Sequence, residues 1–230
     1  MNRELEKLSR FSRAALRFAA ALVVVVLAAW LGGRLLGGSA FGGTAPWYIS
    51  RAAGIVAYGL LSLSALLGIA MTTQFWSRRL SRPSLNGLHE QLSWLAFGFV
   101  VLHIGALLVD TFQPFRVADI LVPFMSAYRP IWVGLGIVAL YLTLLLNVSF
   151  YVQNRIGHRA WRLIHYAGFA LYALATVHGI LAGNSTGELW MQAIYVVSLA
   201  LVLTAVAYRV LQRPALGRPA AERTSRPRAG

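Results

Sequence analysis

Six stretches of this chain are apolar over enough residues to cross a bilayer, and no other property limits the fold as much. They cover about 15–37, 47–72, 87–109, 131–152, 161–182 and 188–210. A hydrocarbon core of about 30 Å takes about 20 apolar residues at 1.5 Å of rise each. In lipid the backbone groups must be satisfied within their own segment, so runs of this kind are helices. The expected fold is an all-α membrane protein, a six-transmembrane-helix bundle. Composition agrees: 58% of the 230 residues are hydrophobic and 12% are charged, with a mean hydropathy of +0.63.

The chain divides as 1–14, a basic N-terminal segment; 15–45, a first transmembrane helix and Gly-rich loop; 46–210, the main transmembrane domain; and 211–230, a Pro/Arg/Ala tail expected to be disordered. The valine-rich centre of the first run, followed by Gly38-Ser39-Ala40, has features of a secretory leader, but its length favours an uncleaved helix. The glycines at 37–43 follow no strand and make no G-x-G-x-x-G, so they read as a linker and not as a phosphate loop. The connection 110–130, with Pro114, Ile120-Leu121-Val122, Pro123 and Phe124, is expected to lie along the membrane surface.

A net charge of +14 suggests nucleic acid until the basic residues are placed. They sit in short segments between and beyond the apolar runs, as topology signals do, so no nucleic-acid partner is expected. Six spans put both termini on one side. That side takes every Lys and Arg except Arg34, Arg51, Arg116 and Arg129, seventeen of 21. The positive-inside rule makes both termini cytoplasmic. The absence of cysteine excludes disulfides, cysteine-held iron–sulfur clusters and covalent C-x-x-C-H haem attachment.

Four of the five histidines fall in two spans: His89 and His103 in 87–109, His165 and His178 in 161–182. Along a helix axis the members of each couple lie about 21 Å and about 19–20 Å apart. With both spans running outward, His89 meets His165 at an inner level and His103 meets His178 at an outer one. Neutral imidazole in an apolar cleft suits axial ligation of haem iron, so two non-covalent haems are expected, with these four histidines as iron ligands. The competing reading makes them polar glue between helices. Zinc would need three or four ligands close together. Only Glu90 and Asp110 supply carboxylates near 87–109, too few for a proton-relay transporter.

Helical phase adds a further expectation. Fourteen residues bring His103 back to within about 40° of His89, but thirteen leave His178 about 140° from His165. The fifth span is therefore expected to be distorted, helped by Gly168, or to set its two side chains in contrasting directions. His158, among arginines, reads as a solvated or headgroup-level residue and not a ligand. Trp94, Phe97, Phe99, Phe169 and Tyr172 suit packing on a porphyrin, and equally ordinary helix contacts.

The H-x13-H span followed by an H-x12-H span resembles the ferric reductase-like transmembrane domain. That family includes ferric reductases, NADPH oxidases and the haem-binding membrane subunit of bacterial periplasmic methionine-sulfoxide reductase systems. Ser50-Arg51-Ala52-Ala53-Gly54, Leu121-Val122-Pro123-Phe124, Tyr128-Arg129-Pro130, Trp161-Arg162-Leu163-Ile164-His165 and His178-Gly179-Ile180-Leu181-Ala182-Gly183 also carry the resemblance, which covers about 46–210. It implies b-type haems on the two histidine pairs. Arg51 matches an arginine that NADPH oxidases hold near the outer haem, as a propionate partner or a lure for an anionic acceptor; an arginine snorkelling from a helix end is the alternative. Arg129, Arg78 and Arg79 are further propionate candidates.

Larger members continue into a flavin and nicotinamide domain, for which the residues after the last span leave no room, so FAD or NAD(P)H is expected only on a partner. NADPH oxidases also carry a histidine one turn past the outer ligand, where this sequence has Leu107; that counts against dedicated superoxide production. The resulting expectation is a di-haem cytochrome b of a bacterial inner membrane, with no catalytic residue of its own. It moves single electrons from a cytoplasmic flavoreductase or membrane quinol to an extracytoplasmic acceptor protein or small molecule. The rivals are a haem-holding assembly subunit of a larger redox or photosynthetic complex, and a haemless transporter or scaffold.

Overall fold

The computed structural model describes residues 44–73 and 81–216. They form α1 (Ala45–Thr72), α2 (Arg82–Leu108), α3 (Val117–Leu121), α4 (Pro130–Ile156), α5 (His158–Ala182) and α6 (Leu189–Leu216), with no strand among the described residues. All but α3 are long and apolar enough to cross a membrane. The expected span at 15–37, the glycines at 37–43, Arg78, Arg79 and residues 217–230 lie outside the described residues.

Local chemistry sets the helix starts earlier than hydropathy does. Ser81 caps α2, its Oγ accepting from the Ser84 N–H at 3.3 Å, and Pro83 sits in the first turn, where a missing N–H costs nothing. Pro130 opens α4 in the same way. Between α4 and α5 the expected basic loop is a single residue, Gly157, at φ +82° and ψ 151°. That region is open to glycine and strained for other residues. Arg155 therefore ends α4, while His158, Arg159 and Arg162 open α5.

Successive long helices run antiparallel. α1 packs most closely on α2 and α4 on α5, with α6 resting on α1. The two hairpins touch through α1 with α5 and through α2 with α4, whereas α2 and α5 face one another across a cleft. Tyr58, Ile69, Tyr172, Met191, Tyr195 and Val202 form a buried core where α1, α5 and α6 meet. Its polar atoms are satisfied locally: Tyr58 Oη lies 2.7 Å from Ser198 Oγ, and Thr176 donates to the Tyr172 carbonyl at 2.7 Å. In the connection between α2 and α4, Asp119 of α3 accepts from the Arg116 backbone N–H at 2.9 Å and from its guanidinium at 3.3 Å. These bonds hold its carboxyl below the usual carboxylate range. The Tyr141 hydroxyl donates to the Leu121 carbonyl and ties α3 to α4.

Candidate functional site

Helix α1 carries a short pattern twice, Ser50-x3-Gly54 and Ser64-x3-Gly68, fourteen residues apart. The α2 histidines have the same period, so antiparallel packing brings Ser50 to His103 and Ser64 to His89. In each case the imidazole Nδ1–H donates to the serine carbonyl, at 2.8 Å for His103 and 3.0 Å for His89. The serine hydroxyl oxygens stand 2.9 and 3.1 Å from the same nitrogens. One turn on, the glycine lets the ring lie against the helix. A Cβ at Gly54 would fall 3.1 Å from His103 Nδ1, and one at Gly68 would fall 3.3 Å from His89 Cε1.

Helix α4 does the same for His178. Its Nδ1–H donates to the Trp132 carbonyl at 2.8 Å, and a Cβ at Gly136 would fall 2.6 Å from both Cε1 and Nδ1. His165 is held differently. No described residue hydrogen-bonds its ring, which lies on the Trp161 indole with centroids 5.0 Å apart and planes 24° apart. The expected distortion of this helix is not found, since α5 is continuously helical through Gly168. The two side chains differ instead in what anchors them, His178 to α4 and His165 to a residue of its own helix.

The rings meet across the cleft in two pairs. His89 and His165 have centroids 6.0 Å apart with planes at 70°, and His103 and His178 have centroids 6.3 Å apart with planes at 80°. With metal–imidazole bonds of about 2.0–2.1 Å and ring radii of about 1.1–1.2 Å, two rings sharing one ion would stand at most about 6.2–6.6 Å apart between centroids. The His103/His178 spacing falls in that range and the His89/His165 spacing about 0.2 Å short of it. Where Nδ1–H is committed to a carbonyl, the free lone pair is on Nε2, the tautomer a ligand needs. No group of three or more His, Cys, Asp or Glu converges among the described residues.

His103 and His178 border a cavity of about 230 Å³, against the 10–15 Å³ or so that one water requires. Ser50, Gly54, Tyr58 and Gly136 line it, and Arg51 is its cationic group. The Arg51 Nε and Nη2 donate to Ser185 Oγ at 3.2 and 2.5 Å; the side chain is therefore anchored in the cavity that His103 and His178 border. Arg129 instead donates to the Leu181 carbonyl at 2.7 Å, near the end of α5. Glu90, next to His89, accepts from the Tyr151 hydroxyl at 3.0 Å, and that hydroxyl accepts from Trp94 Nε1 at 3.1 Å. Asp110 accepts from the Gln113 N–H at 2.9 Å and shapes the turn after α2. His158 is exposed. Sequence reasoning passed over Ser64, Gly68, Trp132 and Gly136, and took Ser50 and Gly54 only as part of a segment carrying the family resemblance. The available signal was the period of fourteen shared by the α1 pattern and the α2 histidines.

The family model described as the ferric reductase-like transmembrane component matches residues 53–176. The chain belongs to this family. The matched stretch is more than half the chain and includes His89, His103 and His165, ending two residues before His178. No curated protein and no solved structure matches the chain. Membership in the ferric reductase-like family points to a membrane redox subunit.

Proposed function

We propose that this chain is a di-haem cytochrome b that moves single electrons across a bacterial inner membrane. The observation carrying this reading is the pair of facing imidazole couples, at 6.0 and 6.3 Å, on helices held apart by a cleft. His89 with His165 would hold the inner haem and His103 with His178 the outer one. Bound there, a b-type haem supplies a reversible one-electron couple.

The chain's own residues do the rest. The carbonyls of Ser64, Ser50 and Trp132 fix ring orientation and tautomer and raise ligand basicity. Gly68, Gly54 and Gly136 allow that close approach. Arg51, steadied by Ser185, offers positive charge beside the outer pair for a carboxylate or an anionic acceptor. The cavity beside His103 and His178 is lined mainly by apolar side chains.

The direction follows from charge. Arg82, Arg155, Arg159, Arg162 and Arg209 mark one end of the bundle, and Arg51, Arg116 and Arg129 the other. The first end, with both termini of a six-span chain, is the cytoplasmic one. An electron crossing outward from a negative cytoplasm gains about 2.3 kcal/mol per 100 mV. The donor is a cytoplasmic flavoreductase or a membrane quinol, and the acceptor is an extracytoplasmic protein or small molecule.

Pyridine haemochrome quantitation and a reduced-minus-oxidised spectrum of the purified chain test this reading. The expected result is about two low-spin b-type haems per chain, with one level lost in His103→Ala and the other in His165→Ala. A colourless protein that tolerates both changes would leave the histidines as glue between helices.

A further inference from the structure

His158, the histidine outside both ligand pairs, is exposed at the first position of α5. Its ring is stacked on the Trp161 indole, with centroids 5.4 Å apart and planes 25° apart. That indole is stacked in turn on His165, at 5.0 Å and 24°. Residues 158, 161 and 165 follow the i, i+3, i+7 spacing of one helix face. A packed column of three rings therefore runs about 10 Å along α5, from the surface turn at Gly157 to the inner ligand position.

The same turn is strongly basic. Arg155, Arg159 and Arg162 are exposed around it, and the exposed Arg82 starts α2 at the same end of the bundle. None of the four has a carboxylate partner among the described residues. The one carboxylate described at that end, Glu90, lies two turns into α2 and accepts from the Tyr151 hydroxyl. Arg155, in the last turn of α4, suits the helix dipole. Arg159 does not: it stands in the first turn of α5, which holds no acidic residue, and opposes the dipole there. Local helix stability therefore does not account for it, and a topology signal would be served as well by a charge on the α4 side of the turn.

We propose that this turn is the electron entry port: a docking face for an acidic, water-soluble flavoprotein, with the His158–Trp161–His165 column leading to the inner site. The inference rests on the di-haem reading and names its donor as a protein and not a membrane quinol. An uncompensated cationic face steers an acidic partner and speeds its association, and it offers nothing to a neutral quinol. A donor docked over His158 is joined ring by ring to the inner ligand, so the electron crosses packed side chains and no water gap. The transfer exchanges one electron and no proton. An anionic flavin hydroquinone becomes the neutral semiquinone as ferric iron at the inner site becomes ferrous.

The test is stopped-flow reduction of the full-length, haem-loaded chain in a neutral detergent, followed at the haem absorption bands. The donors are an acidic flavodoxin, photoreduced to its hydroquinone, and a neutral ubiquinol analogue. Reduction of the wild type by flavodoxin should slow about tenfold or more between low and high salt. Arg155→Glu combined with Arg159→Glu should slow it about tenfold at low salt and remove most of the salt dependence. The quinol rate and both haem bands should not change, and the bands report on folding. Arg155→Gln combined with Arg159→Gln gives the same reading with a smaller effect if the charge reversal fails to insert. His158→Ala should lower the rate at saturating flavodoxin, where docking no longer limits, and His158→Phe, which keeps a ring in the column, should restore it. Flavodoxin rates indifferent to salt and to the arginine changes, or an unchanged saturating rate in His158→Ala, would overturn the proposal. So would an equal loss of rate with both donors, or an effect of the arginine changes confined to anionic-lipid nanodiscs, which would make the face a lipid contact. A wild-type chain without haem would instead defeat the reading beneath it.

Discussion

Replacing Gly136 by alanine inserts one methyl group where the structure has no room for it. The added Cβ would fall 2.6 Å from two atoms of the His178 ring, whereas ordinary contact begins near 3.4 Å. The ring must therefore retreat by about 0.8 Å, which stretches its 2.8 Å bond to the Trp132 carbonyl beyond hydrogen-bonding range. Leaving that donor unmatched costs about 1–3 kcal/mol, and overpacking costs about 1–3 kcal/mol more. The better helix propensity of alanine returns about 1 kcal/mol. The net destabilisation is about 1–5 kcal/mol, and loss of a partner behind a metal ligand lowers metal affinity about 10–100-fold. Haem per chain and the thermal midpoint in detergent should both fall, with the outer haem affected first. Gly54→Ala, at 3.1 Å, and Gly68→Ala, at 3.3 Å, should do progressively less. Gly59→Ala and Gly105→Ala, with nothing within 4 Å, should match or slightly exceed wild type. If Gly136→Ala kept both haems at the wild-type thermal midpoint, the argument from ring clearance would be wrong.

Because the acceptor behind His89 is a main-chain carbonyl, Ser64→Ala should keep the inner haem; denaturation should show a loss of about 0.5–1.5 kcal/mol, and loss of the haem would contradict the assignment. Gly157→Ala forces a side chain into φ +82° and should destabilise the α4–α5 turn by about 1–3 kcal/mol, read as a lower thermal midpoint. Arg51→Gln should leave the haem content intact and slow reduction of anionic acceptors more than of neutral ones, a difference that high salt should shrink. Asp119 titrates below the ordinary carboxylate range. Its contribution is therefore complete above the unfolded value and lost as pH falls through the folded one. Asp119→Asn should remove that part of the acid dependence of thermal stability, leaving the neutral-to-alkaline profile parallel to wild type.

The helices and the histidine couples were legible in the sequence because a bilayer imposes both length and rarity of polar groups, and imidazoles stand out against that background. The supporting residues were not. Serine and glycine are common in membrane helices, and Ser50, Gly54, Ser64 and Gly68 acquire meaning only once α1 lies antiparallel to α2 in one register. Trp132 acts through its carbonyl, which no side-chain pattern reveals. The thirteen-residue spacing of His165 and His178 left two readings open, a distorted helix or contrasting side-chain directions, and α5 is helical throughout. Phase fixes where a side chain leaves the helix and says nothing of the partner it then meets, the Trp161 ring for His165 and the Trp132 carbonyl for His178. The one-residue turn at Gly157 was hidden by the arginines around it, which read as a loop but stand within the ends of two helices.

The central claim is transport of electrons across the bilayer, and sealed proteoliposomes test it most directly. Vesicles containing the purified, haem-loaded chain and trapped ferricyanide are given an external membrane-impermeant reductant. The account predicts that trapped ferricyanide is reduced in wild-type vesicles, and at the background rate of protein-free vesicles in His103→Ala and in His165→Ala. Background rates in wild-type vesicles, or undiminished reduction in either variant, would contradict it.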